Sequence, residues 1–303
     1  MKTQKYKVMN DITQKQNEPI SIARLKAQRR LYRCAKKISF ISFILFVLLV
    51  VIGNILKFCL GEYDFFMNIL SIYAVSASVL ELIFSRWAKR KKKMAATIQQ
   101  LFDAYVYNMQ WKKEWGDEPT HEFVCLNARK ESEVKLEDWY EPLIEKASHN
   151  VGVLLCQMEN VGYEERLKEK FHVCVHIVFW VYAVTNLLLG LFYFQESFVI
   201  MLQKTILPIA PIILCYITIV YDKQEEVEQR SKLEIALRDA WTTVKGRHTV
   251  AMSKLENIQT ILLAYRCEVK TVPDWFYKMH RNILEDIAYQ STKDRLVELN
   301  VIK

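Results

Sequence analysis

Glycine and proline are scarce, at 7 and 6 of 303 residues. So few turn formers predict few loops and a helix-dominated chain. The scarcity also leaves little with which to build a phosphate-cradling loop. No Walker loop, GxGxxG, HExxH or GxSxG motif occurs. A bound nucleotide would have to be held by Arg, Lys and helix N-termini instead. An enzyme is not expected, and neither a catalytic residue nor a cofactor is assigned. The seven cysteines are odd in number and form no CxxC pair, which argues against a disulfide framework and against a zinc cluster. Reduced thiols in or facing the cytosol are the plain reading. Low-complexity tracts and fixed-period repeats are missing. No signal peptide is expected, because the first apolar run begins only at Ile38 and no small-residue cleavage site follows it.

Charge is missing from one stretch above all. Residues 171–195 contain no Asp, Glu, Lys or Arg. A helix crosses a bilayer core in about 20 apolar residues, so these 25 residues read as a span. Mean hydropathy near zero would suit a soluble protein, but the apolar residues are gathered into four blocks. The other blocks are 38–56, 65–85 and about 198–221. Seven basic residues from Arg24 to Lys37 precede the first span, and six from Arg86 to Lys93 follow the second. The two connecting turns are nearly free of Lys and Arg. By the positive-inside rule both termini and the central segment are cytoplasmic. The expected fold is an all-α polytopic membrane protein with two transmembrane hairpins. Its parts are a cytoplasmic N-terminal segment with a basic helix (1–37), hairpins at 38–86 and 171–221, and cytoplasmic helical segments at 87–170 and 222–303.

In the first cytoplasmic segment the apolar positions 94, 98, 101, 102, 105, 106 and 109 keep a helical period. A further helix is expected over 143–170, running into the third span. In the C-terminal segment Leu237, Trp241, Val244, His248, Ala251, Leu255, Ile258, Leu262 and Tyr265 alternate by four and three. That is a heptad seam, which predicts one long helix over about 223–268. A final amphipathic helix is expected from Trp275 towards Leu299.

Several residues carry two readings. Glu81, near the cytoplasmic end of the second span, either faces a water-filled path or reaches the interface and pairs with Arg86 or Lys89. Asn186, mid-span in the third helix, forms an inter-helix hydrogen bond or lines a pore. Pro208 and Pro211 favour a kink that gates or merely packs. His172 and His176 share a helix face but lack a third ligand, so headgroup-level histidines compete with a metal pair and no metal site is assigned. The basic runs serve as topology signals and contacts to anionic lipid, or as one wall of a site for an anionic ligand.

Several short blocks resemble a known family. Near the start they are Gln16-Asn17, Leu25, Ala27-Gln28-Arg29, Leu31-Tyr32 and Ala35-Lys36. After the second span come Ile98-Gln99, Phe102-Asp103 and Trp111. Asp138-Trp139-Tyr140 and Leu155-Cys156-Gln157 with Asn160 precede the third span. Ile258-Gln259, Arg266 and Pro273-Asp274-Trp275-Phe276-Tyr277 lie near the end. In order and spacing around the spans they are similar to the four-transmembrane pore-forming effectors associated with bacterial second-messenger nucleotidyltransferases, the SMODS-linked effectors. Thr260, Met158 and Tyr163 depart from that pattern, where Asp, Arg and Trp are expected.

The resemblance implies an inner-membrane effector of antiphage defence acting by abortive infection. It would be a homo-oligomer in the lipid bilayer, controlled by a cyclic oligonucleotide or cyclic mononucleotide from a partner nucleotidyltransferase, and binding no nucleic acid directly. By block position it implies ligand contacts at Arg33, Asp103, Trp139, Gln157, Gln259, Arg266 and Trp275, with Glu81 and Asn186 tuning the bundle. A regulated ion channel or transporter without an immune role, and a non-conducting helical scaffold, are the competing classes.

Overall fold

A computed structural model describes residues 10–60, 64–131, 136–162, 165–193, 207–268 and 274–302. Among these there is no strand. The chain divides into two compact units. One comprises Met1–Arg33, Lys92–Lys168 and Glu225–Lys303, and the other comprises Cys34–Lys91 and Glu169–Gln224. Four helices contribute residues to both: α2 (Pro19–Phe43), α4 (Asp64–Val106), α7 (Glu165–Tyr193) and α8 (Leu207–Arg247).

The second unit is the apolar one. Two helical stretches are long and apolar enough to cross a membrane, Pro19–Gly53 and Asn68–Val106, while His172–Leu188 is a shorter apolar stretch. Two of the four expected spans therefore meet that test among the described residues. The turn after the third span and the start of the fourth, residues 194–206, lie outside the described residues. The first apolar stretch is not one regular helix. After α2 comes a π-turn, Ile44–Leu48, and then α3 (Leu49–Leu60). A π-turn inserts a residue and disturbs the regular ladder, and the Tyr73 hydroxyl of α4 donates to the Leu45 carbonyl within it. Gly53 brings α3 and α4 close, since a Cβ there would lie 2.6 Å from Leu70 Cδ1. Val47, Val50, Ile209 and Ile212 form a small core, and Phe179 stacks on Tyr216 at 3.7 Å. Phe40, Ile72, Val178 and Val181 are exposed. So much outward apolar surface suits hydrocarbon better than water.

The first unit has a conventional core. Its centre is α6 (His149–Gly162), whose Val151, Val153, Leu154, Leu155 and Cys156 are all buried. Around it lie α1 (Ile12–Lys15), α9 (Met252–Glu268) and α10 (Asp274–Glu298). Elsewhere in the unit α5 (His121–Ala128), whose Val124 packs with Ala27, Leu31 and Ile98, begins with Thr120 accepting from the Phe123 amide at 3.3 Å. Among the described residues, the non-glycine positions with left-handed backbone are all polar: Asn108, Asp138, His248 and Asn300 have φ between 53° and 59°. At the end of α4, Met109 N–H reaches the Ala104 carbonyl at 2.8 Å and Asn108 N–H the Tyr105 carbonyl at 3.3 Å. That is a Schellman stop with Asn in place of glycine, and it ends the helix at Val106, before the last of the periodic positions, 109.

The single helix expected over 223–268 is corrected. It is two helices, α8 and α9, separated at residues 248–251. His248 in the left-handed region stops α8, and α9 folds back on it: Lys254 Nζ reaches Asp239 Oδ2 at 2.5 Å and donates to Thr243 Oγ1 at 3.2 Å. The heptad spacing is a property of two helices sharing one core. The helix expected from Leu143 begins instead at His149, after a 3-10 turn at Pro142–Lys146.

Two glycines separate packing from propensity. A Cβ on Gly152 would meet Asn10, Ile12 and Ile144 atoms all at 3.1 Å, whereas Gly246 has nothing within 4 Å. Gly152→Val is expected to destabilise by about 1–3 kcal/mol through overpacking. Gly246→Ala is expected to stabilise by up to ~1 kcal/mol. Thermal unfolding of the solubilised protein checks both, and equal shifts would contradict the close packing of α6.

Candidate functional site

The core of the first unit contains an ionised pair that apolar packing alone would not tolerate. Asp103 lies near the end of α4 with no exposed surface. Two chain segments, α9 and the stretch before α6, supply its three side-chain partners. Arg266 Nη1, from the last turn of α9, meets Asp103 Oδ2 at 2.6 Å. Gln259 Nε2, two turns earlier on α9, donates to the same oxygen at 2.9 Å and to Gln100 Oε1 at 3.0 Å. The Tyr140 hydroxyl donates to Asp103 Oδ1 at 2.5 Å. Behind them, Gln157 Nε2 of α6 donates to Gln259 Oε1 and to the Leu255 carbonyl, each at 2.9 Å. Asn160 Nδ2 donates to the Tyr140 oxygen at 3.0 Å.

Local structure explains the placement. Gln100 and Asp103 are three apart on α4, as are Gln157 and Asn160 on α6, so each pair shares a face. Tyr140 follows a left-handed residue, Asp138, whose amide donates to Asn17 Oδ1 at 2.9 Å while Asn17 Nδ2 donates to Asp138 Oδ1 at 2.9 Å. Gln16 then fixes Tyr140 itself, accepting from its amide at 2.7 Å and donating to its carbonyl at 3.3 Å. The Tyr140 ring lies near-parallel to Phe102, centroids 6.1 Å apart.

Burial raises the Tyr140 phenol well above its ordinary value, and Asp103 raises it further, so it remains a neutral donor. Burial alone would lower Arg266, but the charge and hydrogen bond of Asp103, together with Tyr140 and Tyr32, more than offset it and hold the guanidinium charged. Burial pushes the Cys156 thiol well up, which makes it a poor nucleophile. Three buried polar atoms keep unused hydrogen-bonding capacity: Gln100 Nε2, Gln157 Oε1 and Arg266 Nη2. The chemistry of this arrangement is recognition and positioning of polar groups. Among the described residues no group of three His, Cys, Asp or Glu side chains is placed to hold a metal ion.

Of the residues singled out as ligand contacts, Asp103, Gln157, Gln259 and Arg266 meet in this one network. Trp139 borders it, 37% exposed and edge-on to Phe102 at 6.4 Å. Arg33 lies elsewhere, bonded to the Glu131 carboxylate, to which Arg29 Nε also comes within 3.4 Å. The side chains of Trp275 and Pro208 lie outside the described residues. Tyr140, Asn160 and Gln100 belong to the network and were not singled out. The i, i+3 pairing of polar residues on otherwise buried helix faces is the signal that marks two of them.

In the apolar unit Asn186 is buried, and its Nδ2 donates to the Tyr182 carbonyl of its own helix at 2.9 Å. This bond is not the inter-helix contact expected. Glu81 is half-buried on α4, and Pro211 is buried near the start of α8. His176 Nδ1 is hydrogen-bonded with the Tyr216 hydroxyl at 2.9 Å. Thr260, where Asp was expected, accepts from Trp115 Nε1 at 2.8 Å.

A family model described as the SMODS-associating 4TM effector domain matches residues 10–294. No curated protein and no solved structure matches the chain.

Two outcomes test the network. Arg266→Met leaves Asp103 buried and unpaired, and is expected to cost about 3–5 kcal/mol. Adding Asp103→Leu should recover much of that loss, which denaturant unfolding of the single and double variants would read. Near the network Glu159 is pushed up to about 7 by burial; the Glu141 amide opposes the rise and the Glu141 charge adds to it. The folded state therefore holds this proton across the interval in which the unfolded chain, with an ordinary value of 4.5, has lost it. The resulting stability is fully present below about pH 4.5 and is lost as pH rises through about 7, a change of about 3 kcal/mol. Stability measured against pH should lose that component in Glu159→Gln.

Proposed function

Because the chain belongs to the SMODS-associating 4TM effector domain family, we propose that it is a membrane-disrupting effector controlled by a cyclic nucleotide. In this reading it sits in the bacterial inner membrane with both termini cytoplasmic, assembles with further copies of itself, and stops an infected cell by permeabilising its membrane. A partner nucleotidyltransferase supplies the nucleotide. The domain boundaries proposed are the two hairpins 38–86 and 171–221 with cytoplasmic segments on either side.

The observation that carries the reading is the convergence of Asp103, Gln157, Gln259 and Arg266 on one buried network. These side chains have charge, an unused donor at Arg266 Nη2 and an unused acceptor at Gln157 Oε1 to offer a polar ligand, and they offer no nucleophile or metal site. Arg33, Trp139 and Trp275 are proposed as further contacts. α4 carries Asp103 and, on the same continuous helix, the apolar residues from 68 onward. A ligand that shifts the network thus acts on a helix that also contributes to the apolar unit. Glu81, Asn186 and Pro211 are proposed to tune that unit.

Dye release from liposomes carrying the full chain tests this. Release is expected to rise with a cyclic nucleotide and to lose its nucleotide dependence in Gln157→Ala. Release indifferent to every cyclic nucleotide would sink ligand control, and no release under any condition would favour a non-conducting scaffold.

A further inference from the structure

A cavity of about 400 Å³ opens in the first unit between α2, the end of α4 and the segment leading into α5. Ile20, Ala23 and Leu101 give it apolar walls, and Arg24, Glu118 and His121 bring polar groups to it. Its size falls in the range of small-ligand sites and suits one nucleobase with its sugar. The polar groups are of complementary kinds. Arg24 is half-buried and can only donate. Its Nη1 donates to the Leu101 carbonyl at 3.3 Å, and its guanidinium lies 4.9 Å from the Tyr105 ring centre. That leaves further N–H groups for a ligand. Glu118, opposite in charge and close enough to act on Arg24 electrostatically, can only accept when ionised.

We propose that this cavity binds the base of the nucleotide, and that it selects a guanine-type edge. The inference rests on the nucleotide-control reading above and deepens it. Guanine presents two adjacent N–H donors, which match a carboxylate, and two acceptors, O6 and N7, which match a guanidinium. Adenine offers one donor group and single acceptors, so it satisfies only part of the same pair. The flat faces of the base would lie against Ile20 and Leu101, with apolar contact supplying affinity. The cavity is tied to the network: Arg24 is bonded to Leu101, two residues before Asp103 on the same helix. A base drawn onto Arg24 thus acts directly on the last turns of α4.

The test uses the full chain in lipid nanodiscs, titrated with cyclic GMP, cyclic di-GMP and their adenine counterparts. Guanine compounds are expected to bind at least about tenfold tighter, the scale of one good bidentate pair. Glu118→Gln, at an exposed position, is expected to erase that preference. Ala23→Trp, which fills the cavity, is expected to abolish binding, with thermal unfolding checking that the variant folds. Equal affinity for both bases overturns the base selection. Unchanged binding in both variants overturns the cavity as the site while nucleotide control still stands. Dye release indifferent to all nucleotides, with no binding of any of the four, removes both readings together.

Discussion

The Asp103–Arg266 pair sets the terms for the first unit. Moving a carboxylate and a guanidinium out of water costs several kcal/mol each, and their attraction offsets this only when the remaining lone pairs and N–H groups are filled. Asp103 has no exposure, so its second oxygen needs the Tyr140 hydroxyl and its first needs Gln259 as well as Arg266. Each requirement recruits another piece of chain. Tyr140 needs a left-handed Asp138 and two side chains from the N-terminal segment. Gln259 needs Gln157, which fixes α9 against α6. The pair thus specifies one arrangement of segments that lie far apart in sequence. A purely apolar core of the same volume would match it in stability without demanding that register.

Much of this was legible beforehand for a simple reason: charge depletion and charge clustering are local. Residues 171–195 announce themselves without reference to anything else in the chain. The polar blocks were legible only through resemblance, because nothing local says that Asp103 and Arg266, so far apart in sequence, are partners. Arg33 shows the limit of that route. Its block position resembles the others, yet its side chain is engaged with Glu131, a residue whose side chain has no exposure. Trp139 and Tyr140 show another limit. Both are aromatic and adjacent, and only the left-handed turn at Asp138 decides which of them points into the network.

The heptad spacing predicts one long helix where the chain has two, because periodicity reports which residues face a core and not whether the helix is continuous. Leu237 and Leu255 both face the same core, and a four-three spacing persists across a break if the turn happens to keep phase. The stop signal was hidden by the scarcity of glycine. This chain uses Asn108, His248 and Asn300 where many proteins use glycine at the helix C-terminus. Asn tolerates the left-handed region through its short polar side chain. His248 has less intrinsic reason to do so, and its conformation is held by the hydrogen bond its amide donates to the Val244 carbonyl and by α9 folding back on α8.

If a nucleotide controls this protein, the energies involved are of the right size. Moving a two-state equilibrium from 1:99 to 99:1 requires a ligand to favour one state by about 5.5 kcal/mol. A ligand bound at micromolar affinity has about 8 kcal/mol of binding free energy, so most of it must be differential. Apolar contact with a rigid wall discriminates poorly between conformations, whereas charge-assisted contacts to a buried network do so strongly, because a misplaced partner leaves a charge unpaired. A switch built on Asp103, Arg266 and their amide neighbours therefore needs few contacts, provided each is made in only one state. The three unused polar atoms, Gln100 Nε2, Gln157 Oε1 and Arg266 Nη2, are where that differential can arise. In one arrangement they stay unpaired in the core, and in another they can acquire partners, each worth about 1–3 kcal/mol when buried.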